Sequence, residues 1–95
     1  MRDILNEDRR LVLLRSLLDC DNSANESVLQ ECLQAYGHRV SRDVVRTQLA
    51  WLREQGLVRL TDISGCYVAD ITGSGDDVAN GLSCVPGVKK PRPRG

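Results

Sequence analysis

An α+β domain, in which three helices are followed by a β-hairpin and a short last helix, is what the sequence predicts. Three observations carry it. Leucines and valines recur at helical spacing in three successive stretches between residues 6 and 54. Gly37, at the end of the second stretch, is separated from Ser41, at the start of the third, by His38, Arg39 and Val40 alone. A connection that short makes the two helices pack at a steep angle, as in a helix-turn-helix. The third stretch then passes through Gly56 straight into two β-prone runs with a turn between them. In that order the elements make a winged helix-turn-helix.

Each element has its own signals. Asn6 is the expected cap of the first helix, because a short polar side chain satisfies free backbone N–H groups, and Glu7 and Asp8 suit the positive end of the helix dipole. Leu11, Leu14, Leu17 and Leu18 form its apolar stripe up to about Cys20, and Ile4 falls on the same stripe, which allows an earlier start. Ser23 or Asn25 can cap the second helix, whose inner side is read as Val28, Leu29, Cys32, Leu33 and Tyr36. Gly37 ends it, since glycine takes the left-handed conformation at least cost. Ser41 caps the third helix, with Asp43 in its first turn and with Val44, Val45, Leu49, Trp51 and Leu52 on one broad side. Leu57, Val58 and Leu60, then Cys66, Tyr67, Val68 and Ile71, form a hairpin around a turn at Ser64 and Gly65. Two strands alone are marginal, so the hairpin must lie on the helices. Thr72 caps a last helix that runs to about Gly81 and packs through Val78, Ala79 and Leu82. Residues 1–82 are thus the winged-helix domain, and residues 83–95, with three prolines and four basic side chains, are expected to be a flexible basic tail.

The 95 residues suffice for one modest core and leave no room for a cleft between two domains. Thirteen basic and thirteen acidic side chains give a formal charge of zero, so any attraction to a polyanion has to be local. It is unevenly placed: residues 1–35 hold four arginines against seven acids, whereas Arg39, Arg42, Arg46 and Arg53 face Asp43 alone between residues 39 and 53. No apolar run approaches the roughly 20 residues that span a bilayer, and the acidic N-terminal stretch is not built like a signal peptide. The expectation is a cytoplasmic protein without membrane contact. Cys20, Cys32, Cys66 and Cys84 are then expected to be reduced packing residues, because no C-x-x-C pair is present and His38 has no second ligand at a useful spacing. No metal or cofactor is expected.

The third helix carries the candidate site. With Val45 at zero on a helical wheel, Arg42, Arg53 and Arg46 fall at about 60, 80 and 100 degrees, a narrow basic flank beside the apolar side. Such a row neutralises phosphates and can place guanidinium forks at guanine edges of double-stranded DNA. Arg42, Arg46 and Arg53, with Ser41, Thr47 and Gln48 nearby, are the candidate contact residues, and Arg39 and Arg59 the candidates for the flanking backbone. Two features oppose this reading. Asp43 and Glu54 fall at the centre of the outward face, and arginine stems can simply cover the edge of a core. The same helix could therefore face a protein partner or a second copy of the chain. The basic tail reads either as up to about four phosphate contacts or as a solubilising terminus.

Other chemistries lack support. "ITGSGDDVANG" has a glycine-rich turn before a helix, but its helix would open on Asp76 and Asp77, which repel phosphate, and the loop has no lysine. Ser41 near His38 has no acid placed behind the histidine, so no nucleophile is activated and no enzyme is predicted.

The stretches "NEDRRLVLLRSL", "SANESVLQECLQAYGH", "VSRDVVRTQLAWLREQGLV", "ITGSGDDVANG" and "VPGVKKPRP" together resemble a family of small winged-helix proteins of Mu-like phages and prophages, over nearly the whole chain. More loosely, the chain is similar to ArsR-like regulators. The phage resemblance implies a winged-helix fold and a place near the packaging terminase, hence an accessory role in packaging or morphogenesis beside that of a transcriptional regulator. The close cysteine pair of metal-sensing ArsR regulators is absent, which argues against metal sensing, and "ITGSG" departs from the phage family's pattern before its second glycine.

Overall fold

The computed structural model describes residues 3–92. Four helices and three strands follow one another as α1 (Ile4–Asp19), β1 (Ser23–Asn25), α2 (Glu26–Ala35), α3 (Arg42–Glu54), β2 (Val58–Ile63), β3 (Cys66–Ile71) and α4 (Gly73–Ala79). The strands form one antiparallel sheet in the order β1-β3-β2.

α1 is the central helix. Leu11, Val12, Leu13, Leu14 and Leu17 are all buried, so its apolar surface is wider than a single stripe and meets α2, α3, α4 and the sheet. Asp3, not Asn6, caps it, with its carboxylate accepting from the Asn6 N–H at 3.3 Å. Asn6 is occupied elsewhere: its side-chain oxygen accepts from Arg9 and from Gln48, each at 3.0 Å. Ile4 belongs to the helix but is 68% exposed, because the first turn projects beyond its neighbours.

β1 was not anticipated. Asp21 and Asn22 both adopt positive φ, which turns the chain after α1 so that Ser23 to Asn25 pair with Asp70 to Val68 of β3. Asn25 then caps α2 through the Val28 N–H at 2.8 Å. Leu29 and Leu33 carry the inner side of α2, whereas Val28 and Tyr36, read as inward, are exposed. Ser41 caps α3 through the Val44 N–H. Gly56, at φ +74, makes the left-handed step that lets the chain leave α3 and enter β2 without a loop. Ser64 and Gly65 alone form the hairpin turn, both at positive φ, and Asp62 fastens it by accepting from the Gly65 N–H at 2.8 Å. Thr72 caps α4 and its hydroxyl also donates to the Gly56 carbonyl. Val78 and Ala79 are buried, but Leu82 is 79% exposed and is no core contact.

The expected flexible tail, residues 83–95, requires a correction over residues 85–91. Val88 is 7% exposed and joins the core, and Val85 packs against it. Arg10 donates to the Gly87 carbonyl at 3.0 Å, the Lys89 N–H donates to the Glu7 carbonyl at 3.1 Å, and the Lys89 ammonium lies 3.5 Å from Asp8. Two isolated valines beside prolines carry no periodic signal, yet Val88 joins the core and Val85 packs on it, while Arg10 and Glu7 of α1 fasten the backbone at Gly87 and Lys89. Lys89 is thereby engaged within the molecule, and Arg94 lies outside the described residues.

Among the described residues, no helix is long and apolar enough to cross a membrane. The four cysteines are free thiols; burial, with Cys32 nearby, pushes the Cys20 thiol up.

Candidate nucleic-acid interface

α3 presents its arginine flank between α2 and the hairpin. Arg42 is exposed and donates through Nε to Gln30 Oε1 at 3.0 Å and through Nη2 to Ser27 Oγ at 3.4 Å, both on α2. Those bonds hold its fork along the seam between the two helices and leave other guanidinium donors free of them. Arg53 is exposed about three turns further along the helix, and Arg39 is exposed in the turn before it. Ser41 sits at the N-terminal end, where the unpaired N–H groups of the first turn also point outward. Thr47 is exposed, although its hydroxyl donates back to the Asp43 carbonyl at 2.9 Å.

Arg46 lies differently. Its guanidinium stacks over the Tyr67 ring at 4.3 Å, its Nη1 donates to the Gly65 carbonyl at 3.3 Å, and its Nε lies 3.9 Å from Glu26. The Tyr67 phenol, ahead of the Glu26 charge, holds the Arg46 pKa above the usual arginine value.

The structure does not gather all of the predicted residues. Gln48 is 5% exposed and lies in the interior: its Oε1 accepts from Arg10 Nε at 2.7 Å and its amide donates to Asn6. It bridges α3 to α1 and lies off the exposed arginine flank. Its angular place, about 60 degrees from Val45 on the side of Leu52, agrees with that burial. Arg10 completes this bridge by stacking on Trp51 at 4.0 Å, and burial pulls its pKa below the usual value against the pull of Asp3 and Glu7. Arg59 is exposed, but it alternates with Val58 and Leu60, which turn toward the core, and it stands opposite Asp70 across the ladder. It therefore occupies the outer sheet face, apart from the α3 flank. Asp43 and Glu54 are exposed, as the wheel places them.

Sequence reasoning missed Glu26. It opens α2 in a polar stretch, yet it is 1% exposed and its Oε1 accepts from the Tyr67 N–H at 2.7 Å. No residue pattern signals this, because a carboxylate in a first helical turn is ordinarily solvated. His38 was also more than a turn residue: buried at 8% exposure, it donates from Nε2 to Asp8 at 2.7 Å.

Three helices, a tight joint between α2 and α3, and a hairpin leaving α3 directly define a winged-helix protein. The solved structure of F93 from STIV, described as a winged-helix DNA-binding protein, is similar to it with a TM-score of 0.64 and 18% identity, over 76% of this chain and 79% of that one. The chain belongs to the family of gp26 of Escherichia phage Mu, an uncharacterized protein with which it shares 63% identity over 94 residues, 99% of this chain and 98% of the relative. An uncharacterized protein of Haemophilus influenzae is 46% identical over 72 residues, 75% of this chain and 71% of the relative. No protein-family profile matches the sequence.

Proposed function

We propose that the protein binds double-stranded DNA through the arginine flank of α3 and acts in the host cytoplasm as a phage transcriptional regulator or a DNA-associated accessory factor. The observation that carries this reading is the placement of Arg39, Arg42 and Arg53, all exposed on or just before a capped α3, in a chain of zero formal charge. A winged helix presents this helix to a major groove wide enough to admit it. Arg42 and Arg53 neutralise phosphates, and the bonds of Arg42 to α2 fix its approach before binding. Ser41 and the N–H groups of the first turn orient the helix on the backbone. Arg39 and Thr47 lie at the rim of the same surface, and Arg59 meets a flanking backbone only if the hairpin folds over the duplex. The description of F93 as DNA-binding supports the reading at the level of the fold.

The test is duplex binding by fluorescence anisotropy across a salt series, for the wild type and for Arg42→Ala/Arg53→Ala. Loss of two phosphate contacts lowers the log–log salt slope by about 1.8. Absence of salt-dependent binding, or a slope unmoved in the double variant, refutes the proposal. Light scattering on the same samples shows whether a second copy doubles the basic surface.

One observation favours a second reading, a module that binds a phage protein in packaging or morphogenesis. The outward centre of α3 carries Asp43 and Glu54, which repel a phosphate backbone and suit a basic protein surface.

A further inference from the structure

Glu26, at the start of α2, joins β3 directly and α3 through Arg46. β1 pairs with β3 as far as Asn25 and Val68, and the next rung would set Glu26 opposite Tyr67. At Glu26 the chain turns into α2, so its backbone cannot make that rung. The side chain makes it instead, with Oε1 taking the Tyr67 N–H at 2.7 Å. The other oxygen, Oε2, is buried without a hydrogen-bond partner, and Arg46 Nε lies 3.9 Å from it. Arg46 in turn stacks on Tyr67 and donates to Gly65 at the tip of the hairpin. One carboxylate thus holds β3 directly, and holds α3 and the hairpin tip through a single arginine.

We propose that Glu26 is a positioning residue for the α3 and hairpin surface, and that Arg46 is the pin it holds rather than a phosphate ligand. The proposal rests on the DNA-binding reading of that surface for its function, but not for its geometry. A buried carboxylate is costly unless a cation or donors compensate it. If Arg46 swung out to a phosphate, Glu26 would lose its cation and Tyr67 its stacked guanidinium. Arg42 and Arg53 turn to a phosphate without uncovering a buried charge. The flank therefore divides into two arginines that bind and one that fixes the angle between α3 and the hairpin.

Two measurements on the full chain decide this. The first needs no DNA: amide relaxation of residues 62–66 in the wild type, in Glu26→Gln and in Arg46→Gln. The glutamine at 26 keeps an oxygen for the Tyr67 N–H and removes the charge that draws Arg46. Order parameters at the hairpin tip are expected to drop from about 0.85 to below about 0.6 in both variants. Unchanged values in a folded variant overturn the proposal, and Arg46→Gln keeps the test open if Glu26→Gln does not fold. The second is duplex binding across salt. Each single variant is expected to weaken binding about fivefold at fixed salt, and the double variant no further, because both act through one network. Neither moves the salt slope, whereas Arg42→Ala lowers it by about 0.9. A drop of about 0.9 in Arg46→Gln overturns the pin and makes Arg46 a phosphate ligand. If the wild type binds no duplex, the DNA reading fails by itself, and the relaxation measurement alone sustains or overturns the pin.

Discussion

Val88→Ala separates a docked C-terminal segment from a free one. A free segment makes the substitution neutral, within the half kcal/mol or so typical of surface changes. In the structure Val88 is 7% exposed, and the residues on either side of it are bonded to α1, at Arg10 and Glu7. Truncation removes two buried methyl groups at about 0.8 kcal/mol each. The residual cavity adds a few tenths, since a strap bonded at both sides collapses only partly. The expected loss is about 2 kcal/mol, or a fall in Tm of roughly 8 to 16 °C for a domain of this size. Urea titration and thermal melting followed by circular dichroism measure it, with exposed Lys90→Ala as the control. A Val88→Ala loss no larger than that of Lys90→Ala would refute the docking argument.

Gly75→Ala is expected to destabilise by about 2 kcal/mol or more, because a Cβ there would run into the Leu57 carbonyl oxygen and lie 2.8 Å from Ile71 Cγ1; an unchanged melting curve would contradict that packing. Gln48→Leu should cost about 1–3 kcal/mol by taking one buried hydrogen-bond partner from Arg10 and one from Asn6, while duplex affinity at fixed salt stays as in the wild type; a weaker affinity in the folded variant would return Gln48 to the contact surface. Asp8 supplies a pH dependence. Burial alone would raise its pKa, but the His38 hydrogen bond and the Lys89 charge outweigh burial and hold it below the ordinary 3.8. A folded-state pKa below the unfolded one stabilises the fold above the unfolded value, and this contribution disappears as pH falls through the depressed folded value. Denaturation of Asp8→Asn between pH 5 and pH 2 should therefore show a shallower acid loss than the wild type, and parallel curves would exclude the linkage.

The sequence makes the fold readable where the signal is local. Ser41 and Gly56 bound α3 because capping oxygens and left-handed glycines act within one turn, and the hairpin is legible from two β-prone runs around Ser64 and Gly65. What escaped depends on distant partners. β1 is three residues of serine, alanine and asparagine, a strand only because β3 offers an edge there. Val28, Tyr36 and Leu82 lie at helical spacing but outside the reach of neighbouring elements. Of the candidate site, the arginine flank was legible from angular spacing alone. The separate orientation of Arg46, the interior place of Gln48 and the burial of Glu26 were not, because each is set by a partner 38 to 42 residues away in sequence or by the hairpin tip.

The contact between Arg10 and Gly87 joins positions 77 residues apart. During synthesis, at about 5–20 residues per second, α1 is complete several seconds before Val88 exists to cover it. The helix that organises the core thus spends that interval with part of its leucine surface facing water or another chain. Closing so long a loop costs entropy that only the finished core recovers. The domain is therefore expected to reach its full cooperativity as a late event, with the strap as the closing contact, and a nascent chain stalled before residue 85 should resemble a destabilised relative of the finished protein.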